Sequence, residues 1–293
     1  MTQISIGVPV FNGAKSLDAV LECLRVQTFT DFEVIISDNG STDGSKEIAA
    51  GFAARDSRFR LVEHAHNIGA KNNFLSLVEE ANCDLFIWRA DDDLCDPDFL
   101  AILKRHFDSN PELALAAPRV KFVHDDGSPN YEEDFQILSD KIRPLRIGDA
   151  LMGASSSWIF GLWKRDALRH ALEITLPTYP YVWGWDPLTL LPPLLDERVE
   201  TDANALLIKK SISTARYRWQ VPAREMWEMR RAFSRTCFIA FRQRDWTLAE
   251  RVIVGVYVFR FANLRVYRFW KTVRAQMREW LGLKRRQRRS VEG

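Results

Sequence analysis

Phe32-Glu33-Val34-Ile35-Ile36-Ser37-Asp38-Asn39-Gly40-Ser41-Thr42-Asp43 contains the fold in miniature. Val34-Ile35-Ile36 is an unbroken β-branched run, which predicts a strand over Phe32 to Ser37 covered on both faces. The polar, Gly-containing stretch ends that strand. Asp43 to Ala54 then reads as a helix, with Thr42 or Asp43 as its cap.

The same strand, polar turn and helix recur on both sides. Ile4, Ile6, Val8 and Val10 alternate with smaller or polar residues and predict a strand, and Leu17, Val20, Leu21 and Leu24 follow at helical spacing. Arg60 to His64 reads as a short strand and Gly69 to Ala81 as a helix with Phe74, Leu77, Val78 and Ala81 on one face. Asp84 to Trp88 is a further strand, Asp98 to Phe107 a helix, and Leu113 to Val123 one more strand. Strands alternating with helices predict βαβ units and an α/β fold with a mostly parallel sheet. The rhythm breaks at the turn cluster Asp125-Asp126-Gly127-Ser128-Pro129-Asn130, and from Val221 the chain reads as helical again. The expected division is 1–220 as one α/β domain, split near 125 into two halves, and 221–293 as a helical region.

Composition narrows the class. A chain of 293 residues, 46% hydrophobic and 27% charged, is an ordinary globular protein. Cys23, Cys83, Cys95 and Cys237 are scattered without a CxxC pair and predict reduced thiols. The first strand begins close to Met1, leaving no room for a secretory signal, and the apolar run Val252 to Phe259 is too short to span a bilayer. The expected location is therefore cytoplasmic. The net charge of +2 hides an asymmetry, because residues 264–293 hold ten basic side chains against Glu279 and Glu292. The body is acidic and the tail basic. A nucleic-acid binder would carry its basic charge on a folded, aromatic-rich face, so no nucleic-acid partner is expected.

In open parallel sheets, ligands bind beyond the carboxyl ends of the strands. The residues there are Pro9-Val10-Phe11-Asn12-Gly13, Ser37 to Asp43, Asn67-Ile68-Gly69 and Ala90-Asp91-Asp92-Asp93. Neither GxGxxG nor GxxxxGK[ST] is present, so the dinucleotide and P-loop readings fall away. Three adjacent carboxylates repel one another unless a cation neutralises them, and hard oxygen ligands suit Mg²⁺ or Mn²⁺ shared with substrate phosphates.

Taken in order, Val8-Pro9-Val10-Phe11-Asn12, Ser37 to Asp43, Asn67-Ile68-Gly69 and Asp91-Asp92-Asp93 followed by Asp96-Pro97 resemble the family-2 glycosyltransferases of the Rossmann-like GT-A fold. The resemblance is close over roughly residues 3–110 and looser to about 215. It implies an inverting transfer of a sugar from a nucleoside-diphosphate donor to a hydroxyl acceptor, in cell-surface polysaccharide or glycolipid synthesis. Pro9 and Asn12 would line the nucleotide pocket, with Val10, Asn39, Asn67 and Gly69 in the same binding set. Asp38 would bind the base, favouring a UDP-type donor, with Asp43 and Lys71 near base or ribose. Asp91 would contact ribose or sugar, and Asp92 and Asp93 would hold Mg²⁺ or Mn²⁺. Asp186 in Trp183-Gly184-Trp185-Asp186 stands where the family places its catalytic carboxylate, although Trp185 replaces the usual acidic neighbour.

The residues give that aspartate an independent rationale. An Asp among Trp183, Trp185 and Pro187 is partly desolvated, which raises its pKa and makes it a better base; the competing reading is a helix cap. Trp183 and Trp185 are candidates for stacking on an acceptor saccharide, and Arg216 and Arg218 for contacting a phosphate. Loss of catalysis with retention of the nucleotide pocket is the competing functional reading. From about Trp246 to Leu283 the chain reads as helix with aromatic and aliphatic bulk between Arg residues. That pattern, with the basic tail, makes residues 246–293 a candidate contact for a membrane carrying a lipid-linked acceptor.

Overall fold

The computed structural model describes residues 2–124, 128–137, 140–211 and 221–281. In chain order the amino-terminal half is β1 (Ile4–Val10), α1 (Ala14–Arg25), β2 (Phe32–Asp38), α2 (Ser45–Arg55), β3 (Phe59–Glu63), α3 (Ala70–Glu80), β4 (Leu85–Trp88), β5 (Leu94–Cys95) and α4 (Phe99–Ser109). Then follow β6 (Leu115–His124), β7 (Tyr131–Glu133), α5 (Arg143–Gly153), β8 (Leu162–Lys164), α6 (Arg165–Thr175), α7 (Trp185–Leu195) and β9 (Val199–Ser211). Three helices end the described chain: α8 (Ala223–Arg242), α9 (Leu248–Arg265) and α10 (Phe269–Trp280).

One sheet runs β3-β2-β1-β4-β8-β6-β9-β5, with β7 paired to β6. The parallel βαβ part is β3-β2-β1-β4. All seven residues of β1 are buried, as expected for a strand covered by helices on both faces. The α1 stripe Leu17, Val20, Leu21 and Leu24 is the buried face of that helix. Beyond β4 the pairing becomes mixed, because the short β8 inserts antiparallel to both β4 and β6, while β6 and β9 run parallel. Three residues are too few to give a periodicity signal, so β8 has no signature in the sequence.

Two local expectations change. The cap of α2 is Gly44, in the left-handed region at φ 93, not Thr42 or Asp43. Asp43 instead accepts from Ser45 N–H, Ser45 Oγ and Ala14 N–H, so it ties the start of α2 to the start of α1. The long carboxyl-terminal helix is broken at Val266 to Arg268. There Val266 is buried beside Gly184 and the Tyr267 ring stacks on Trp183 at 4.8 Å, packing that a continuous helix would forfeit. Met229, Phe233, Cys237, Val254, Val258 and Phe261 belong to the same hydrophobic cluster as Ile4, Ile6 and Trp88, so α8 and α9 pack into the body's core.

Candidate active site

Strand register assembles the site. β1 and β2 end side by side, Val10 opposite Asp38, while β4 ends earlier, with Trp88 opposite Gly7. The chain after β4 therefore runs on beside the end of β1, and Arg89 N–H donates to Gly7 O at 2.9 Å. This course brings Asp91 against Gly13, where an added Cβ would overlap the Asp91 carboxylate. Gly13 is needed for space, since its φ of -104 suits any residue.

The loops after β1, β2 and β3 are stitched together. Asn12 sits in the left-handed region at φ 54, a strained conformation of a kind found at functional loops. Its N–H donates to Ser41 Oγ at 3.0 Å, and its Oδ1 accepts from Thr42 N–H at 2.8 Å. Asn39 donates from Nδ2 to Asn67 Oδ1 at 3.0 Å and accepts from Ile68 N–H at 2.8 Å. Asn67 Oδ1 also accepts from Gly69 N–H at 2.7 Å, with Gly69 at φ 88. Gly40, at φ 73, lies so close to the His66 backbone that a side chain has neither the conformation nor the room.

Several expected ligand-binding residues thus form the walls. Pro9 and Val10 are buried in β1, and Val10 contributes its carbonyl to Asn39 N–H. Asp38 is 3% exposed. Its Oδ2 accepts from Ser41 N–H at 3.2 Å, whereas Oδ1 has no hydrogen-bond partner among the described residues. Lys71 donates to Tyr179 O at 3.4 Å, which ties α3 to the segment before α7, and burial lowers its pKa.

The three carboxylates after β4 are not equivalent. Burial, then the charge of Asp92, pushes Asp91 up to about 7. Burial and Asp93 raise Asp92, with Lys209 opposing. Asp93 is 1% exposed and ion-paired with Lys209, whose Nζ also lies 4.0 Å from the Phe160 ring centroid. Register explains the pair. β5 runs antiparallel to β9 with Leu94 opposite Ile208, so the preceding Asp93 comes level with Lys209. Sequence reasoning missed Lys209, because a Lys-Lys step in a strand reads as a solvated edge and the pairing depends on a contact across 116 residues.

The sequence-predicted base stands at the start of α7, whose cap is Gly184 at φ 88 rather than an aspartate. Trp185 docks that end of the helix on β4, its ring 5.7 Å from Trp88 and 6.1 Å from Phe74. Trp185 is therefore core, whereas Trp183 is 51% exposed. Asp186, in the first turn and partly exposed, is pushed by burial up to about 6, with Lys209 acting to lower it. Lys209 thus acts electrostatically on both Asp92 and Asp186, and the Trp185–Trp88 contact sets the α7 terminus beside the end of β4. Arg216 and Arg218 lie outside the described residues.

Among the described residues, no group of three or more His, Cys, Asp or Glu side chains is arranged to hold a metal ion by itself. Asp91 and Asp92 nevertheless fit a hard divalent cation: both are oxygen donors crowded together in partial burial, and the adjacent Lys209 is committed to Asp93. Two cavities of about 600 and 720 Å³, one lined by His106, Arg146 and Glu200 and the other by Asn72, Glu79 and Arg169, share no residue with this cleft.

Comparison with known proteins identifies the family and the fold. The family model described as Glycosyl transferase family 2 matches residues 5–162, more than half of the chain. The abequosyltransferase RfbV of Salmonella typhimurium is 33% identical over 116 residues, 38% of this chain and 34% of RfbV. The chain spans about a third or less of the length of the first curated relatives it matches. Among solved structures, S. aureus TarS 1-349 in complex with UDP-GlcNAc superposes with a TM-score of 0.64 at 16% identity, over 87% of this chain and 71% of that one. The mannosyltransferase PcManGT of Pyrobaculum calidifontis, in complex with GDP-Man and Mn²⁺, gives 0.60 at 16% identity, over 94% and 73%.

Proposed function

Because the chain belongs to glycosyl transferase family 2, we propose that it moves a sugar from a nucleoside-diphosphate donor to a hydroxyl acceptor with inversion, and that Asp186 is the general base. The observation that carries this reading is the convergence of four strand-end clusters on one edge with the α7 terminus. Asp91 lies against Gly13, Asn39 is locked to Asn67, and Asp186 shares the field of Lys209 with Asp92. One base and a single in-line displacement suffice for inversion. A retaining route through a covalent intermediate would require a second carboxylate as nucleophile.

The donor binds across the ends of β1, β2 and β4. The orphan Oδ1 of Asp38 is an acceptor suited to a ring N–H of the base, such as N3–H of uracil in a UDP-type donor. Asn12, Asn39, Asp43, Asn67 and Gly69 hold the surrounding loops, and Lys71 fixes the far wall. Asp92, with Asp91 beside it, would hold Mg²⁺ or Mn²⁺. When bound, that ion supplies neutralising charge to the leaving diphosphate. Asp93 is withdrawn from this role by Lys209. A base held near 6 is deprotonated at neutral pH and can still take the proton of the attacking hydroxyl.

Residues 1–220 carry the catalytic site in this reading, and α8 and α9, from the region 221–293, complete its core. Trp183, exposed and stacked on Tyr267, offers an aromatic platform to a saccharide acceptor. No helix among the described residues is long and apolar enough to cross a membrane. On α9, Leu248, Val252, Val256 and Phe259 are exposed beside Arg251 and Arg260, and on α10 Trp270, Met277 and Trp280 are exposed beside Lys271 and Arg274. Apolar residues flanked by basic ones suit an anionic membrane surface, so we place a peripheral contact there, on the cytoplasmic face. The test of the catalytic reading is release of nucleoside diphosphate from a panel of nucleotide sugars with Mn²⁺ and a saccharide or lipid-linked acceptor. Turnover by wild type and its loss in Asp186→Asn with donor binding retained are expected. Equal loss of binding and turnover would make Asp186 structural.

A further inference from the structure

The most unusual buried group outside the reacting centre is Arg89. It follows β4, is 1% exposed, and none of its three guanidinium nitrogens has a hydrogen-bond partner among the described residues. The group lies over the Phe99 ring at 4.7 Å. A buried cation without an anion is costly, so a neighbour that can become negative has a physical reason to sit there.

Two thiols occupy that neighbourhood. Cys23 on α1 and Cys95 on β5 bring their sulfurs to 3.6 Å, and Cys95 N–H donates to Cys23 Sγ at 3.3 Å. The buried Gln27 donates to Cys95 Sγ at 3.5 Å and to Asp96 O at 2.9 Å, and accepts from Leu100 N–H at 3.1 Å, which fixes the second sulfur. Cys95 is buried, but Cys23 is partly exposed and can meet a small solute. The hydrogen bond from the Cys95 thiol, with the Cys95 N–H and the Arg89 charge, outweighs burial and the opposing charge of Asp96, and brings Cys23 down to about 6. A thiolate there lies in the field of the buried Arg89 charge and is the nucleophilic form of the residue.

We propose that Cys23 and Cys95 are an oxidant-sensitive pair, in which Cys23 reacts with a hydroperoxide and Cys95 resolves the product to an intramolecular disulfide. The Cys23 thiolate attacks one peroxide oxygen. An S–O bond forms, the O–O bond breaks, sulfur is oxidised by two electrons, and the departing oxygen leaves as hydroxide or alkoxide and takes up a proton. The Cys95 sulfur then attacks the sulfenic sulfur. The S–S bond forms, the S–O bond breaks, and the Cys95 proton leaves with the hydroxyl as water. With hydrogen peroxide, two thiols and one peroxide give one disulfide and two waters.

The bond has a consequence for the site, and this part rests on the proposed donor reading. Sulfurs at 3.6 Å must close to about 2.05 Å, a movement of about 1.5 Å. Cys95 is two residues from Asp93, and β5 pairs with the part of β9 that carries Lys209. Drawing β5 toward α1 therefore strains the Asp93–Lys209 pair and moves the acidic loop. A displacement of that size at positioned groups costs on the order of tenfold to a hundredfold.

The test uses full-length protein, reduced, freed of reductant and treated with excess hydrogen peroxide. Mass spectrometry of unreduced tryptic digests is expected to find a Cys23–Cys95 linked peptide that reverts with dithiothreitol, while Cys83 and Cys237 remain thiols. In Cys95→Ser, Cys23 stops at a sulfenic acid that dimedone traps. UDP affinity in Mn²⁺ is expected to fall about tenfold or more on oxidation of wild type, to recover on reduction, and to be insensitive to peroxide in Cys23→Ser. If Cys23 stays unmodified, or is consumed without the linked peptide, the pair is refuted. If the peptide forms with unchanged UDP affinity, the coupling to the acidic loop is refuted. The peptide is scored without nucleotide, so a failure of the donor reading leaves that result standing.

Discussion

Replacing Asp91 by Asn should make the ligand-free protein more stable while removing its function. The Asp91 carboxyl titrates at about 7 instead of 3.8, because burial and the charges of Asp92 and Asp93 oppose its ionisation. A shift of about three units at 1.36 kcal/mol per unit is a penalty of about 4 kcal/mol on the charged form at pH 8. Part of it is Coulombic and screened by salt, so the expected gain for Asp91→Asn is about 2 kcal/mol at physiological ionic strength. For a chain of this size that is a rise in Tm of roughly 4–8 °C.

The sign follows from linkage. The folded state holds the Asp91 proton more tightly than the unfolded state. The penalty is therefore absent below the unfolded pKa, grows as pH rises from about 4 to 7, and is full above it. The difference between variant and wild type should shrink to less than half between pH 8 and pH 5. The assay is paired thermal and urea unfolding at both pH values without nucleotide or divalent metal, followed by the same melts with UDP and Mn²⁺. A variant no more stable than wild type at pH 8, or a gain that does not shrink on acidification, would refute the argument that these carboxylates are crowded and uncompensated.

Other perturbations probe separate parts of the site. Asp186→Asn should lower turnover by about 10²–10⁴-fold with donor affinity kept. The wild-type kcat/KM should rise with pH through an apparent pKa near 6, a limb that the variant lacks. Gly13→Ala should weaken metal-dependent donor binding by about tenfold, because its Cβ displaces the Asp91 carboxylate, and a variant binding within threefold of wild type would show that Asp91 is not placed as described. Full-length protein should float with vesicles containing anionic lipid at low salt, and Trp270→Ala with Trp280→Ala should weaken this by about tenfold. Indifference of the wild type to anionic vesicles would rule out the surface contact.

Much of the first half was legible in the sequence, because each strand there carries its own signal. Val34-Ile35-Ile36, the stripe from Leu17 to Leu24 and the polar clusters at the strand ends are local patterns, and they mark β1 to β4, and α4 after them, to within a residue or two, whereas the two-residue β5 went unread. What was not legible depends on register between distant segments. Lys209 meets Asp93 only because β5 pairs with β9, and Asp91 reaches Gly13 only because β4 stops opposite Gly7. The same holds for Arg89. Within Trp88-Arg89-Ala90-Asp91 it reads as a cation beside acids, yet its guanidinium is buried over the Phe99 ring and acts on Cys23. The break at Val266 was hidden because its cause is the packing of Val266 and Tyr267 on the loop before α7.

In the proposed mechanism the acidic loop after β4 would hold a nucleoside diphosphate through a divalent cation, with Asp92 as the principal protein ligand. Isothermal calorimetry of UDP binding in Mn²⁺ and in EDTA, for wild type, Asp92→Asn and Asp93→Asn, tests it most directly. Tight binding only with Mn²⁺ is expected for wild type, with a loss of at least about tenfold for Asp92→Asn with the fold intact by circular dichroism, and a smaller loss for Asp93→Asn, whose carboxylate serves Lys209. UDP binding equally well in EDTA, or Asp92→Asn binding as wild type does, would contradict it.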